Sequence, residues 1–217
     1  MADFISEWIP DIIFISSGLL INIQYTLISV FIGLCLAVLL SVAKVSKYRA
    51  SRCFADGYTS IFRGTPLIIQ LSITYYILPS LLGIKLGVFS ATIISLSLNS
   101  AAYVSEILRG GINAVDHGQF EASWALGLSK YQTYKDIILP QAIRKIFPSL
   151  VNEVVNMLKE TSIISIIGEA EILRRAQLVA GQKYNYTVPL MTSALSYYFV
   201  ILILVWFANH LEKKLAL

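Results

Sequence analysis

Charge is what this chain has least of. Only 14% of its 217 residues are charged, against 56% that are hydrophobic, whereas an ordinary soluble domain carries about 25% charged residues. From Ile12 to Ala43, over 32 positions, there is no charged residue at all, more than the ~20 needed to cross a bilayer. Cysteine is nearly absent too: Cys35 and Cys53 have no paired spacing, which excludes a disulfide framework or a cysteine metal site. The two histidines, His117 and His210, do not cluster with other ligands or with a nucleophile, so a membrane-embedded enzyme is poorly supported. No phosphate-binding loop of the GxxxxGK[ST] kind occurs, so the chain is not expected to hydrolyse ATP itself. No nucleic-acid module is visible, and the net charge of +4 is better read as membrane topology than as a patch for a polyanion. No internal repeat or low-complexity linker appears. That argues for one domain over residues 1–217, and against a stand-alone secondary transporter or channel built from inverted repeats.

What the chain does have is apolar length. Besides the first run, Gly64 to Ile84, Leu86 to Ser105 and Val188 to Ala208 are uncharged, each about 20 residues and long enough to span. Asp3, Glu7 and Asp11 precede the first run where a cleavable signal would carry basic residues, so that run is expected to remain as a span. Ile146 to Gly168 has the length of a fifth span but contains Glu153, Lys159 and Glu160; the alternative is four spans with this segment on the surface. Basic residues decide between them. With five spans, Lys44, Lys47, Arg49, Arg52, Arg109, Lys130, Lys135, Arg144, Lys145, Lys213 and Lys214 share one side, eleven of the 17 basic residues. The expectation is an all-α, multi-pass protein with spans near 12–43, 62–84, 86–109, 143–168 and 188–210. Its N-terminus lies outside, and its C-terminus and a polar loop near 113–140 lie in the cytoplasm.

The fourth span has a polar face. At 100° per residue, Ser149, Asn152, Glu153, Asn156, Lys159 and Glu160 fall in an arc of roughly 120°. Ionisable groups at membrane depth face a cavity or a partner. Ser95, Asn99, Tyr103 and Glu106 form a similar face on the third span, and Gln70 lies deep in the second. One reading is a polar pathway for a small zwitterion, with a carboxylate for its ammonium and Lys159 or free N–H groups for its carboxylate. The other is mutual neutralisation or helix glue. Arg63-Gly64-Thr65-Pro66 reads as a helix start or break at the membrane edge, either a plain boundary or a gate. Tyr197, Tyr198 and Trp206 read as anchors or packing, His210 as a snorkelling surface residue, and Glu169 to Arg175 as a short outer helix at the outer mouth.

The stretch EASWALGLSKYQTYKDIILP, Glu121 to Pro140, is more than a connector. Gln119 to Leu126 favours helix, Gly127 permits a left-handed turn, a second polar helix is expected from Ser129 to Ile138, and Pro140 starts the fourth span. Trp124, Leu126, Leu128, Tyr131, Tyr134 and Ile138 give such a hairpin something to pack with, and an exposed knob of this kind suits a groove in a partner.

These residues carry a resemblance. Glu121-Ala122-Ser123, three residues, Gly127, nine residues and Ile137-x-Leu139-Pro140 resembles the EAA loop of ABC importer permeases, with Ser123 where the third residue is usually alanine. Arg63-Gly64-Thr65-Pro66 with Gln70, the run NSAAYVSEILRGGINAV from Asn99 and the run KETSIISIIGEAEILRRAQ from Lys159 are similar to the permeases of the histidine, glutamine and arginine uptake systems. The resemblance covers nearly the whole chain from about Asn22. It implies a type I ABC importer permease fold in a bacterial inner membrane, with Glu121, Ala122, Ser123, Gly127, Leu139 and Pro140 in the ATPase-coupling loop. Gln70, Asn99, Tyr103, Glu153, Asn156, Lys159 and Glu160 are the candidates for the substrate pathway, and Arg63, Thr65 and Pro66 for the gate. It also implies two cytoplasmic ATPase subunits carrying the ATP and Mg, a second permease copy or paralogue, and an extracytoplasmic amino-acid-binding protein, with no cofactor on this chain.

Overall fold

A computed structural model of the chain describes residues 2–215, and every regular element among them is helical. The first apolar run makes α1 (Ala2–Ser17) and α2 (Leu19–Lys44), which meet at Gly18. Next come α3 (Arg49–Gly64) and α4 (Leu67–Leu82), bent by 104° at Thr65-Pro66, and then α5 (Val88–Asn113). A short α6 (His117–Ala125) follows, and a π-helical turn (Thr133–Ile138) leads into α7 (Leu139–Glu160). A 3-10 turn (Thr161–Ile167), α8 (Ile172–Lys183) and α9 (Thr187–Leu215) complete the chain.

Length and apolarity qualify three helical segments as crossings, namely Glu7–Lys44, Val88–Asn113 and Thr187–Lys214, and the bent α3/α4 pair as a fourth. The expected fourth span, α7, has 22 residues, about 33 Å at 1.5 Å per residue. It has the length of a crossing without the apolarity, because Arg144, Lys145, Glu153, Lys159 and Glu160 lie along it. The second span also differs from a straight helix. Residues 67–82 alone reach about 24 Å, short of the about 30 Å of hydrocarbon, and α3 turns away from them by 104°.

α2 and α5 form the central pair. Their contact is close because small residues line it: a Cβ on Gly33 would stand 2.8 Å from the Ser100 Cβ and 3.2 Å from the Ser97 carbonyl oxygen. Small residues let membrane helices approach where lipid gives no hydrophobic drive. Around this pair Tyr25, Leu67, Leu71, Leu96, Met157, Ile164 and Ile167 form one core, joining α2, α4, α5, α7 and the 3-10 turn. α9 leaves Ile203, Trp206 and Phe207 exposed, an apolar flank suited to lipid or a second subunit.

At the end opposite Lys44, α8 is stapled to α1. Trp8 and Ile15 pack with Ile172, Ala176 and Val179. Lys183 bonds Asp11 at 2.6 Å, and Arg175 donates to the Phe14 carbonyl at 3.0 Å and to the Ser17 Oγ at 2.5 Å. The expected short outer helix over Glu169 to Arg175 is thus the capped start of a longer one. Glu171 accepts from the Arg174 N–H at 2.7 Å as its N-cap.

Candidate functional site

The break between α3 and α4 follows from Pro66. In a continuous helix the Phe62 carbonyl would accept from the amide of residue 66, and proline has none. Gln70, one turn into α4, supplies the missing donor. Its Nε2 reaches the Phe62 carbonyl at 2.8 Å, the Thr65 carbonyl at 3.0 Å and the Thr65 Oγ1 at 2.9 Å. Asn99, near the middle of α5, donates to the Gln70 Oε1 at 3.0 Å and to the Phe62 carbonyl at 3.3 Å. Both side chains are buried, at 8% and 3% exposure. The structure therefore brings Gln70 and Asn99 together, and it engages both amides with the bend. Irregular backbone at membrane depth is tolerated only where protein covers it or where it lines a cavity.

Arg63, Thr65 and Pro66 are exposed at this bend. The Arg63 guanidinium stands 5.5 Å over the ring of Tyr103, which places a gate candidate on a pathway candidate. Glu106, expected on one face with Ser95, Asn99 and Tyr103, lies one turn further along α5. It anchors an ion cluster, pairing with Lys44 of α2, with Arg109 at 2.6 Å and with Arg63 at 3.8 Å.

On α7 the polar arc divides. Asn152, Asn156 and Lys159 are exposed, Glu160 is half-buried and Glu153 is buried at 7% exposure. The buried Val155, Met157 and Leu158 hold the helix against its neighbours. The structure does not bring Lys159 into a salt bridge with either glutamate among the described residues. The exposed row presents polar groups to whatever faces α7, while Glu153 is turned inward.

A second polar cluster was not expected from the sequence. Asn22 of α2, fully buried, donates to Thr161 at 2.8 Å, to Glu171 at 3.0 Å and to Tyr197 at 2.7 Å. Tyr197 donates to Glu171 at 3.2 Å, and Tyr25 donates to Glu169 at 2.7 Å. Tyr197, expected as an interfacial anchor or packing, is part of this buried network. The available signal was Asn22 itself, an amide inside a 32-residue uncharged run.

The hairpin forms where expected, with shifted boundaries. Asp116 caps α6 by accepting from the Gly118 N–H at 2.7 Å, and Ser129 with Gln132 makes a capping box. Gly127 takes φ +77°, and the Leu128 N–H closes back on the Ser123 carbonyl at 3.1 Å, a left-handed helix stop that glycine makes at no steric cost. Ser123 is buried, its hydroxyl donating to the Gln119 carbonyl at 2.5 Å, so a small residue is required there. Of the apolar side chains expected to pack the hairpin, Ile138 is fully buried while Trp124, Leu126 and Tyr131 are 58%, 78% and 71% exposed. Glu121, Ala122, Gly127, Leu139 and Pro140 are also exposed. A cavity of about 400 Å³ opens beside them, lined by His117, Phe120, Glu121, Trp124 and Tyr134.

Comparison with known proteins places this architecture. Residues 29–217 match the family described as the binding-protein-dependent transport system inner membrane component. The chain is 54% identical over 215 residues, 99% of each chain, to a protein of Rickettsia bellii (strain RML369-C) named as glutamine transport system permease GlnP. It is 47% identical over 210 residues, 97% of this chain and 96% of the other, to the arginine transport system permease ArtQ of Bacillus subtilis (strain 168). Among solved structures, an amino acid ABC transporter with histidines superposes with a TM-score of 0.89 at 34% identity, covering 97% of this chain and 96% of that one. The methionine ABC transporter MetNI shares the fold, with a TM-score of 0.74 at 17% identity over 95% and 98% of the chains. With its broken helix, its polar-faced α7 and its capped hairpin, the chain belongs to the inner-membrane permease components of binding-protein-dependent transport systems.

Proposed function

We propose that this chain is the permease subunit of an ATP-driven importer of polar or basic amino acids of the glutamine, arginine or histidine class. The observation that carries the proposal is the broken span at Thr65-Pro66, whose exposed bend meets the Tyr103 face of α5. Discontinuous membrane helices typically form substrate sites in secondary transporters, and the same reasoning carries over to an importer of this family. Tyr103, Glu153, Asn156, Lys159 and Glu160 would line the path, with Gln70 and Asn99 supporting it, and Arg63, Thr65 and Pro66 would gate it. The chain would cross five times, N-terminus outside, with α6 and Gly127 in the cytoplasm. Two ATPase subunits holding ATP and Mg would grip the hairpin through Glu121, Ala122, Gly127, Leu139 and Pro140, with Ser123 supporting the helix from beneath. A second permease copy or paralogue would complete the pathway, and an extracytoplasmic binding protein would deliver the amino acid.

The test is reconstitution in proteoliposomes. Uptake of glutamine or arginine that needs both ATP and an added ATPase subunit supports the proposal. Gradient-driven uptake by this chain alone would replace it with a secondary transporter or channel.

A further inference from the structure

Away from the bend, α3 is held by the Tyr58 hydroxyl, which donates to the Leu98 carbonyl at 2.7 Å, and by Ala55 packed with Leu40 and Ala101. Next to Pro66 the bend is attached to α5 at two points of different kinds. One is the buried amide pair, Asn99 on Gln70, which ties the end of α3 and the start of α4 to the middle of α5. The other is ionic. Glu106 receives three cations from three elements, and they are not equivalent. Lys44, its side chain 4% exposed, and Arg109, through Nε at 3.0 Å and Nη2 at 2.6 Å, fill the carboxylate with direct hydrogen bonds. Arg63 stands off at 3.8 Å with its side chain 46% exposed, outside hydrogen-bond range. Its only other hold among the described residues is the Tyr103 ring. Exposed ion pairs of this kind are weak and salt-sensitive, so this contact can break while α2 and α5 stay joined.

We infer that Glu106 is a positioning residue that sets the angle of the α3/α4 bend through Arg63, the Asn99–Gln70 pair being the hinge and Arg63 the releasable arm. Glu106 then acts on transport without touching the substrate, by holding Thr65-Pro66 against the Tyr103 face until the arm lets go. The inference rests on the proposed role of Thr65-Pro66 as the gate.

The bend angle can be measured directly. Spin labels replace the exposed Phe54 of α3 and Tyr76 of α4, in the full chain with Cys35 and Cys53 removed, reconstituted in lipid. Each label lies about 15 Å along its helix from the bend, so a 20° change of angle moves them by about 4 Å. Glu106→Gln and Arg63→Gln are each expected to shift or broaden the distance distribution, and the double variant to match Glu106→Gln, which already removes the contact that Arg63→Gln removes. Arg63→Gln changes an exposed side chain and keeps the test open if Glu106→Gln, which also strips Lys44 of its partner, fails to fold. Arg63→Lys, which retains the charge, should stay near the parent distribution. An unchanged distribution in Arg63→Gln, or additive shifts in the double variant, would overturn the inference. The measurement needs neither substrate nor ATPase, so a parent chain that showed no ATP-dependent uptake would refute the functional reading and leave this result standing.

Discussion

At the scale of single residues, close packing makes sharp distinctions among glycines that look alike in sequence. Gly18 abuts backbone: a Cβ there would lie 2.6 Å from the Ile172 nitrogen and 2.8 Å from the Glu171 carbonyl carbon, and backbone cannot rotate aside. Gly18→Ala should therefore unseat α8 and destabilise the protein by about 1–3 kcal/mol, the usual cost of overpacking. Gly57→Ala meets open space and should be neutral or gain up to about 1 kcal/mol from helix propensity. Thermal unfolding in detergent separates the two. Glu153 makes a different argument. It is buried, it lies within electrostatic reach of Glu160, and among the described residues Lys159 forms a salt bridge with neither. On the proposed pathway reading a cationic cargo would supply its counter-charge. Glu153→Gln should weaken uptake of arginine more than that of glutamine with assembly unaffected. Equal uptake of both by variant and parent would return Glu153 to a packing role.

At the scale of elements, the hairpin and α8 respond to different perturbations. The turn at Gly127 needs φ +77°, a conformation costly for a β-branched side chain. Gly127→Val should abolish uptake and loosen ATPase attachment while leaving helical content near that of the parent. Uptake and ATPase coupling both intact would show that the hairpin does not dock. α8 is held by Lys183, whose pKa is raised above the ordinary lysine value chiefly by its hydrogen bond to Asp11. A raised folded-state pKa means that this contribution is complete below the ordinary lysine value, about 10.4, and fades as pH climbs through the folded one. The protection of α8 amides, taken relative to their intrinsic exchange rates, should be flat across neutral pH and fall only in strong alkali, whereas Lys183→Met should show the lower protection already at neutral pH.

For the whole molecule, topology turns on whether α7 crosses. Its polar arc lowers its apolarity below that of the other crossings, yet positive residues distribute to one side only if it does cross. Single cysteines at Ser46 and Leu126 should react with an impermeant thiol reagent from the same face of a vesicle, and one at Tyr184, which is 93% exposed, from the opposite face. Labelling of Leu126 and Tyr184 from one face would reduce the count to four and put α7 on the surface.

Composition and pattern determined a great deal unaided. In lipid the backbone is satisfied by helices or closed barrels, and runs of 20 or more uncharged residues suit helices. The all-helical class, the three helical segments long and apolar enough to cross and the capped hairpin around Gly127 were therefore legible, since each rests on neighbours in sequence. The helical wheel likewise placed polar groups on one side of α7. What the tertiary structure decided is partnership. Gln70 and Asn99 look like any buried amides until Pro66, four residues from one and 33 from the other, leaves the Phe62 carbonyl open and gives both a task. Glu106 looks like one more polar residue on a face until α2 and α3 deliver Lys44 and Arg63 to it. Asn22 and Glu171, 149 positions apart, become one buried network only when α8 folds back on α2. Periodicity reports the direction in which a side chain leaves its own helix. Which groups meet is settled by how helices cross, because a hydrogen bond needs its partners within about 3 Å and no local pattern encodes that distance.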